Sequence, residues 1–184
     1  MKKIMLSILT VLCASTVEAQ MITVSNNLLL DAGKVPNLGI EMTTGNRTTV
    51  GINGFYGRQP MLTDGGHLWG IRPEWKYYLS GRPLHGLYVG VGGMAVVYDL
   101  KIKRKYYDGN AIGGGMLLGY VLNLSKRVNI DFHSGFGFLT YKQKEYFEGD
   151  NYDDYTVDGK VVANAKGSWL LPVDFGITLS YIIR

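Results

Sequence analysis

The sequence predicts an all-β protein, an eight-stranded antiparallel up-and-down transmembrane β-barrel. Period-two alternation of apolar and polar residues recurs along the chain, whereas helical periodicity is weak. Glycine is abundant, with 25 of 184 residues, and charged residues make up only 18% of the chain. The predicted connections are short at one end of the strands and longer at the other, which is typical of outer-membrane barrels.

The first 19 residues are predicted to be a cleaved signal peptide. Lys2 and Lys3 precede an apolar stretch from Ile4 to Leu12, and Ala19 occupies a position that signal peptidases read. The stretch is shorter than the ~20 residues that a membrane-spanning helix needs. Cys13 is the single cysteine and lies in this segment, so disulfide and thiolate chemistry are excluded for the predicted barrel domain, residues 20–184.

The fourth predicted strand, from Leu68 to Leu79, shows the alternation most clearly. Its odd-numbered positions are all apolar or aromatic, whereas Arg72, Glu74 and Lys76 follow one another on the even-numbered face. Only an extended strand separates the two sets so fully, because successive side chains point to opposite faces.

Seven further segments alternate in the same way, and together they predict eight strands. In chain order the strands are Ile22 to Leu30, Leu38 to Thr43, Thr48 to Tyr56, Leu68 to Leu79, Leu87 to Val97, Ile112 to Leu122, Val128 to Phe138, and Phe175 to Ile183.

The connections between these strands fall into two classes. The short ones are Thr44 to Arg47, Ser80 to Gly86, and Ser125 to Arg127. The longer or more polar ones are Arg58 to His67, Lys103 to Ala111, and Phe147 to Ser168, and the first connection, Asp31 to Asn37, is intermediate.

The fifth and sixth strands indicate which face of the barrel is outside. Residues 87–98 and 112–122 carry no charge on either face. A water-soluble barrel would expose this wall and risk aggregation, whereas a lipid bilayer would cover it. The charged faces of the other strands are therefore predicted to point into the lumen.

Six charged residues fall on predicted inward faces. They form either an internal ion-pair network that fills a closed barrel or a polar lumen that binds a small ion or supports a narrow pore. The network is favoured, because eight strands enclose room only for side chains or one small ligand. The six residues are Glu41, Arg72, Glu74, Lys76, Asp131 and Asp174.

A second group of residues is basic and lies at the predicted outer rim, with Tyr106 and Tyr107 nearby. These residues either contact lipopolysaccharide phosphates or form a solvated extension of the strands, and the exported location argues against nucleic acid. The residues are Lys101, Lys103, Arg104, Lys105, Lys142 and Lys144.

The predicted loop 147–168 is acidic and rich in tyrosine. We expect it to be exposed at the surface, either as a simple hydrophilic loop or as a contact for an unknown partner. A calcium site is disfavoured, because Asp150 to Asp154 lacks the spacing of a calcium-binding loop.

No catalytic, cofactor or metal site is predicted. His133 and Ser134 suggest a lipid-A deacylase, but neighbours on one strand point to opposite faces. His67 and His85 are predicted at opposite ends of the barrel. A lipid-modifying enzyme and a soluble periplasmic ligand-binding barrel remain the alternatives to a non-enzymatic, monomeric outer-membrane protein.

Across residues 24–184 the chain resembles the OmpX-like outer-membrane barrels, and more closely an uncharacterised family of such barrels, a domain of unknown function. The resemblance implies an eight-stranded barrel in the outer membrane of a Gram-negative bacterium and no known activity. It departs from such barrels at the C-terminus, where Tyr181 keeps the aromatic phase but the last residue is Arg184. The matching stretches are Asn27 to Ala32, Pro36 to Glu41, Arg72 to Tyr78, and Gly119-Tyr120 leading to Leu124 to Arg127.

Overall fold

The structure, a computed structural model, describes residues 21–61, 63–149, 156–157, 160–161 and 163–183. Its elements, numbered in chain order, are β1 (Ile22–Asn27), α1 (Leu28–Ala32), β2 (Asn37–Thr43), β3 (Thr48–Arg58), β4 (Gly65–Tyr78), β5 (Gly86–Ile102), β6 (Lys105–Asn123), β7 (Val128–Phe147), β8 (Thr156–Val157), β9 (Lys160–Val161) and β10 (Ala165–Ile182).

Strands β1 to β7 and β10 form one closed antiparallel barrel, so the predicted all-β, eight-stranded architecture is confirmed. Strands β1 to β7 pair in sequence order, β7 pairs with β10, and β10 closes the barrel against β1. The two residue pairs of β8 and β9 form a separate hairpin. Among the described residues, no helix is both long and apolar enough to cross a membrane.

The predicted connection from Lys103 to Ala111 is wrong. Strands β5 and β6 stay paired as far as Ile102 and Lys105, so only Lys103 and Arg104 form the turn. The polar residues of this region continue the strands beyond the apolar stretch. Backbone groups make the hydrogen bonds of a sheet, so polar side chains are as compatible with a strand as apolar ones. The predicted loop 147–168 is likewise too long at its end, because β10 begins at Ala165.

The end of the first predicted strand is also wrong, because Leu28–Ala32 form the short helix α1. The side-chain oxygen of Asn27 accepts hydrogen bonds from the backbone N–H groups of Leu29 (3.0 Å) and Leu30 (3.3 Å). This is an N-cap, which satisfies donors that a first helical turn leaves free. A short apolar run does not by itself distinguish strand from helix, and here the cap decides.

The two faces of the barrel wall differ as the alternation predicts. Along β4, Lys76 is only 4% exposed and points inward, whereas its neighbour Trp75 is 42% exposed and points outward. The outer surface carries large apolar side chains, and Met116, Phe138 and Leu170 are among the most exposed. The barrel is therefore polar inside and apolar outside.

Glycines let three adjacent strands approach closely at one place in the wall. Gly115 of β6 pairs directly with Gly92 of β5 and with Gly137 of β7. A Cβ at Gly115 would lie 2.1 Å from the carbonyl oxygen of Phe136, and a Cβ at Gly137 would lie 2.1 Å from that of Gly114. No side chain fits at these two positions without a shift of the backbone.

Replacing Gly115 by valine is expected to lower the free energy of unfolding by about 1–3 kcal/mol, because the strands must move apart. Urea titration of the folded protein in detergent micelles would measure the change. Gly54→Val is the matched control, since nothing lies within 4 Å of a Cβ at Gly54. Equal unfolding midpoints for the two variants would contradict the close approach.

Candidate functional site

A buried lysine forms the centre of the barrel interior. Lys76 of β4 directs its Nζ atom toward three carboxylates, at 3.2 Å from Glu41 Oε2, 2.9 Å from Glu74 Oε1 and 3.3 Å from Asp131 Oδ2. These acids lie on β2, β4 and β7, so the ion pairs connect strands on different sides of the barrel. One cation thus neutralises part of the charge of three acids.

Hydroxyl groups supply further hydrogen bonds to these carboxylates. Tyr78 Oη donates to Glu41 Oε1 at 3.1 Å, and Thr49 Oγ1 donates to the same oxygen. Tyr88 Oη lies 3.0 Å from both oxygens of Asp131. Lys76 alone cannot neutralise three carboxylates, and charge-assisted hydrogen bonds of this kind stabilise the remaining negative charge.

A second cluster surrounds Asp174 of β10. Arg72 forms an ion pair with this carboxylate, and His133 Nε2 lies 3.3 Å from Asp174 Oδ1. Asn27 Nδ2 lies 3.5 Å from the same His133 nitrogen. From the sequence, Arg72 is expected to lie among Glu41, Glu74 and neighbouring acids inside the barrel, but Glu41 and Glu74 pair with Lys76 instead.

The structure therefore places all six predicted interior residues inside the barrel and divides them between two clusters. The alternation places His133 on the inward face together with Asp131 of β7, but it does not show that His133 takes part in the network. The contributions of Asn27, Thr49, Tyr78 and Tyr88 are likewise not evident from the sequence.

Little space remains among these side chains. A cavity of about 20 Å³ is bordered by Asn53, Arg72, Lys76 and His133, among others. This volume accommodates about one water molecule and excludes a small organic ligand. Arg72 Nε, His133 Nδ1 and Asn53 Oδ1 are buried and make no hydrogen bond within the described structure, so the polar groups that a water would need are present.

An apolar layer closes the interior at the end of the barrel that carries the short turns. Tyr78, Leu84, Tyr88 and Val121 are all at most 4% exposed, and the rings of Tyr78 and Tyr88 lie 5.3 Å apart. Together with the neighbouring ion pairs, this layer fills the half of the lumen that is nearest the short turns.

The residues considered for catalysis are not brought together. His133 is 9% exposed and faces the interior, whereas Ser134 lies on the outer face between its paired neighbours Leu118 and Phe175. His67 is on β4 near the long connections, and His85 contacts Asn123 near the short turns. Within the described ranges, no three His, Cys, Asp or Glu residues are grouped to hold a metal ion.

Three of the six predicted basic rim residues, Lys101, Lys105 and Lys144, are paired with acids. Lys101 Nζ lies 2.7 Å from Glu148 Oε1, and this hydrogen bond lowers the pKa of Glu148. Lys105 pairs with Glu145 and lowers the pKa of that carboxyl group, with a further contribution from Gln143.

In the third pair, Lys144 Nζ is 3.6 Å from Asp108 Oδ2. The other three rim residues are exposed. Lys103 and Arg104 are exposed at the tip of the β5–β6 turn. Lys142 is exposed on the outer face directly opposite Lys166, a residue outside the predicted rim group.

Two predicted segments fall partly or wholly outside the described residues. The predicted signal peptide, residues 1–19, lies outside them completely. So do residues 150–155, 158–159 and 162 of the predicted acidic loop.

Comparison with known proteins gives one match. A family model described as "Protein of unknown function (DUF3575)" matches residues 4–183. No curated protein and no solved structure matches the chain significantly.

Proposed function

The chain belongs to the DUF3575 family, and from its architecture we propose that it is a non-enzymatic integral protein of a Gram-negative outer membrane. In this proposal residues 1–19 direct export and are removed, and the barrel spans the bilayer as a monomer. Its role is structural or is an interaction at the cell surface, made through the ends of the long strands and their connections.

The observation that carries this proposal is the apolar outer surface. Large hydrophobic side chains are exposed at outward positions on every strand of the barrel except β1, for example Ile52 on β3 (50%), Val91 on β5 (52%), Leu118 on β6 (55%) and Phe136 on β7 (62%). Soluble monomers rarely expose contiguous apolar patches larger than a few hundred Å². A lipid bilayer covers such a surface without this cost.

Aromatic residues at both ends of the apolar surface support the same proposal. Trp69 and Tyr77 lie eight residues apart on the outer face of β4, which corresponds to roughly 20 Å of height at a tilt of ~40°. At the short-turn end, Arg47 donates to Tyr77 Oη (3.5 Å) and Arg127 donates to Tyr181 Oη (3.3 Å). Aromatic rings with a polar partner are typical of a membrane interface.

The interior and the outer face both argue for a non-enzymatic role. The half of the lumen nearest the short turns has no room for a substrate, because ion pairs and the Tyr78–Tyr88 layer fill it. On the outer face, the apolar neighbours of Ser134 offer no group that could act as its general base. The longest strands, β5 to β7 and β10, extend toward the end opposite the short turns and present polar side chains there.

Cell fractionation tests the proposal. We expect most of the protein in the outer-membrane fraction, extractable only by detergent, and an unheated sample that migrates differently from a boiled one, because a closed barrel resists denaturation. Recovery of most of the protein in the soluble periplasmic fraction would contradict a membrane location and favour the soluble barrel.

Trypsin treatment of intact cells provides the topology control for that experiment. Cleavage at the exposed β5–β6 turn, Lys103 and Arg104, is expected, whereas the short turns at Arg47 and Lys126 should be cut only after the cells are lysed. The reverse pattern would show that the orientation is inverted and would remove the long strands from the cell surface.

A further inference from the structure

Two lysines face each other on the outer surface of strands β7 and β10. Successive residue pairs on this face are Phe138 with Leu170, Thr140 with Ser168, and Lys142 with Lys166. The Phe138 and Leu170 side chains are 69% and 65% exposed, and Thr140 Oγ1 and Ser168 Oγ lie 3.0 Å apart. The surface thus changes from apolar to hydroxyl to cationic over four residues of one strand pair.

Among the described residues, this lysine pair has no acidic partner of the kind that Lys101, Lys105 and Lys144 have. Both side chains are exposed, and no ion pair involves either ammonium group within the described part of the chain. Like charges directly opposite in a sheet repel each other. By contrast, Lys101, Lys105 and Lys144 each lie within ion-pair distance of a carboxylate. An anion bound between Lys142 and Lys166 would convert the repulsion into attraction.

The height of the pair relative to the apolar surface indicates which anion fits. Four residues separate Phe138 from Lys142, which is about 13 Å along a strand and about 10 Å of height at the usual tilt. Lysine side chains extend from such positions toward the lipid headgroups while their methylene chains cover apolar surface. A phosphate attached to a lipid is held at this level, whereas a free phosphate is not concentrated there.

Apolar side chains beside the pair would contact the rest of a lipid. Strand β1 ends at Asn27, opposite Thr178, so the residues of β10 that precede Thr178 have no strand partner on the side of β1. Helix α1 lies there instead, with Leu28 43% exposed, and Leu170 and Phe175 of β10 are 65% and 66% exposed. The seam between α1 and β10 therefore offers an apolar surface for an acyl chain below the lysine pair.

We propose that Lys142 and Lys166 bind the phosphate group of an anionic lipid in the outer leaflet, with an acyl chain against Leu170, Phe175 and α1. The proposal rests on the membrane location proposed above. Lipid A and an anionic phospholipid share this chemistry of phosphate and acyl chain, so the experiment compares the two.

The test uses the folded protein purified in dodecyl maltoside, with binding followed by native mass spectrometry. The probes are diphosphoryl lipid A, phosphatidylglycerol and, as the zwitterionic reference, phosphatidylcholine. The double variant K142Q/K166Q is expected to bind diphosphoryl lipid A roughly tenfold more weakly or worse, because two charge-assisted contacts to phosphate are lost. If the lysines strengthen binding of phosphatidylglycerol equally, the site takes any lipid phosphate.

R82Q/K126Q is the matched control, because it removes the same charge at the exposed short turns, at the opposite end of the barrel, and should leave binding unchanged. In detergent without lipid, K142Q/K166Q should unfold at the same temperature as the unmodified protein or a higher one, since repulsion is removed. Equal loss of binding in both double variants would indicate unspecific charge attraction and overturn the site. Unchanged binding by K142Q/K166Q would also overturn it, whereas recovery of the protein from the soluble periplasm would overturn the membrane proposal itself.

Discussion

Replacing Lys76 by methionine is expected to lower the free energy of unfolding by about 3–5 kcal/mol, the usual cost of removing one partner from a buried ion pair. Three carboxylates, Glu41, Glu74 and Asp131, would lose their common cation in the barrel interior. The Lys76 side chain is 5% exposed, so water cannot replace it without rearrangement. Urea unfolding in detergent micelles, followed by tryptophan fluorescence, would measure the change.

Lys126→Met is the matched control, because Lys126 is exposed in the β6–β7 turn and its loss should change the free energy by no more than about 0.5 kcal/mol. Adding Glu41→Gln to the Lys76→Met variant should recover part of the stability, since one unpaired carboxylate is then neutral. An unchanged midpoint for Lys76→Met would show that the interior is hydrated and would favour a water-filled lumen over a filled one.

Replacing Met116 by arginine is expected to destabilise the barrel in a lipid bilayer by about 2–4 kcal/mol, the cost of a cation on the lipid-facing side near the midplane. Met116 lies halfway along the apolar outer face of β6 and is 76% exposed. In a soluble barrel the same substitution would be an ordinary surface change of about 0.5 kcal/mol or less. Equilibrium unfolding in phosphatidylcholine vesicles would measure the difference.

Leu124→Arg provides the comparison within the same protein. Leu124 is 56% exposed and directly follows β6 at the short-turn end, where the cost for a lipid-facing cation falls to about 0–1 kcal/mol. A large difference between the two variants would support a bilayer around β6. Equal, small effects at both positions would contradict the transmembrane proposal even if the barrel itself stays folded.

The alternation of residues was enough to predict the eight barrel strands and the direction of their side chains. In β4, for example, the position of Lys76 in the pattern already placed it on the face opposite Trp75. The prediction failed where the sequence pattern and the backbone conformation did not change together. The polar extensions of β5 and β6 continue the sheet, and the Leu28–Leu30 run forms α1 because Asn27 caps it.

The interior residues show a similar division. The six charged side chains were identified because each shares a strand face with other inward residues. Their pairing was not identified, and Arg72 meets Asp174 rather than Glu41 or Glu74. The contribution of Tyr78 and Tyr88 was missed as well, because a tyrosine at an inward position is equally compatible with an apolar core.

The sequence by itself determined the class of fold, the number of barrel strands and the inside-out distribution of polarity. These follow from local alternation, since a strand sends successive side chains to opposite faces whatever its neighbours are. Only the tertiary structure decided which ions pair, how far the strands continue, and that Lys142 faces Lys166. These features depend on the register between strands that are distant in sequence, and register is set by the closure of the whole barrel.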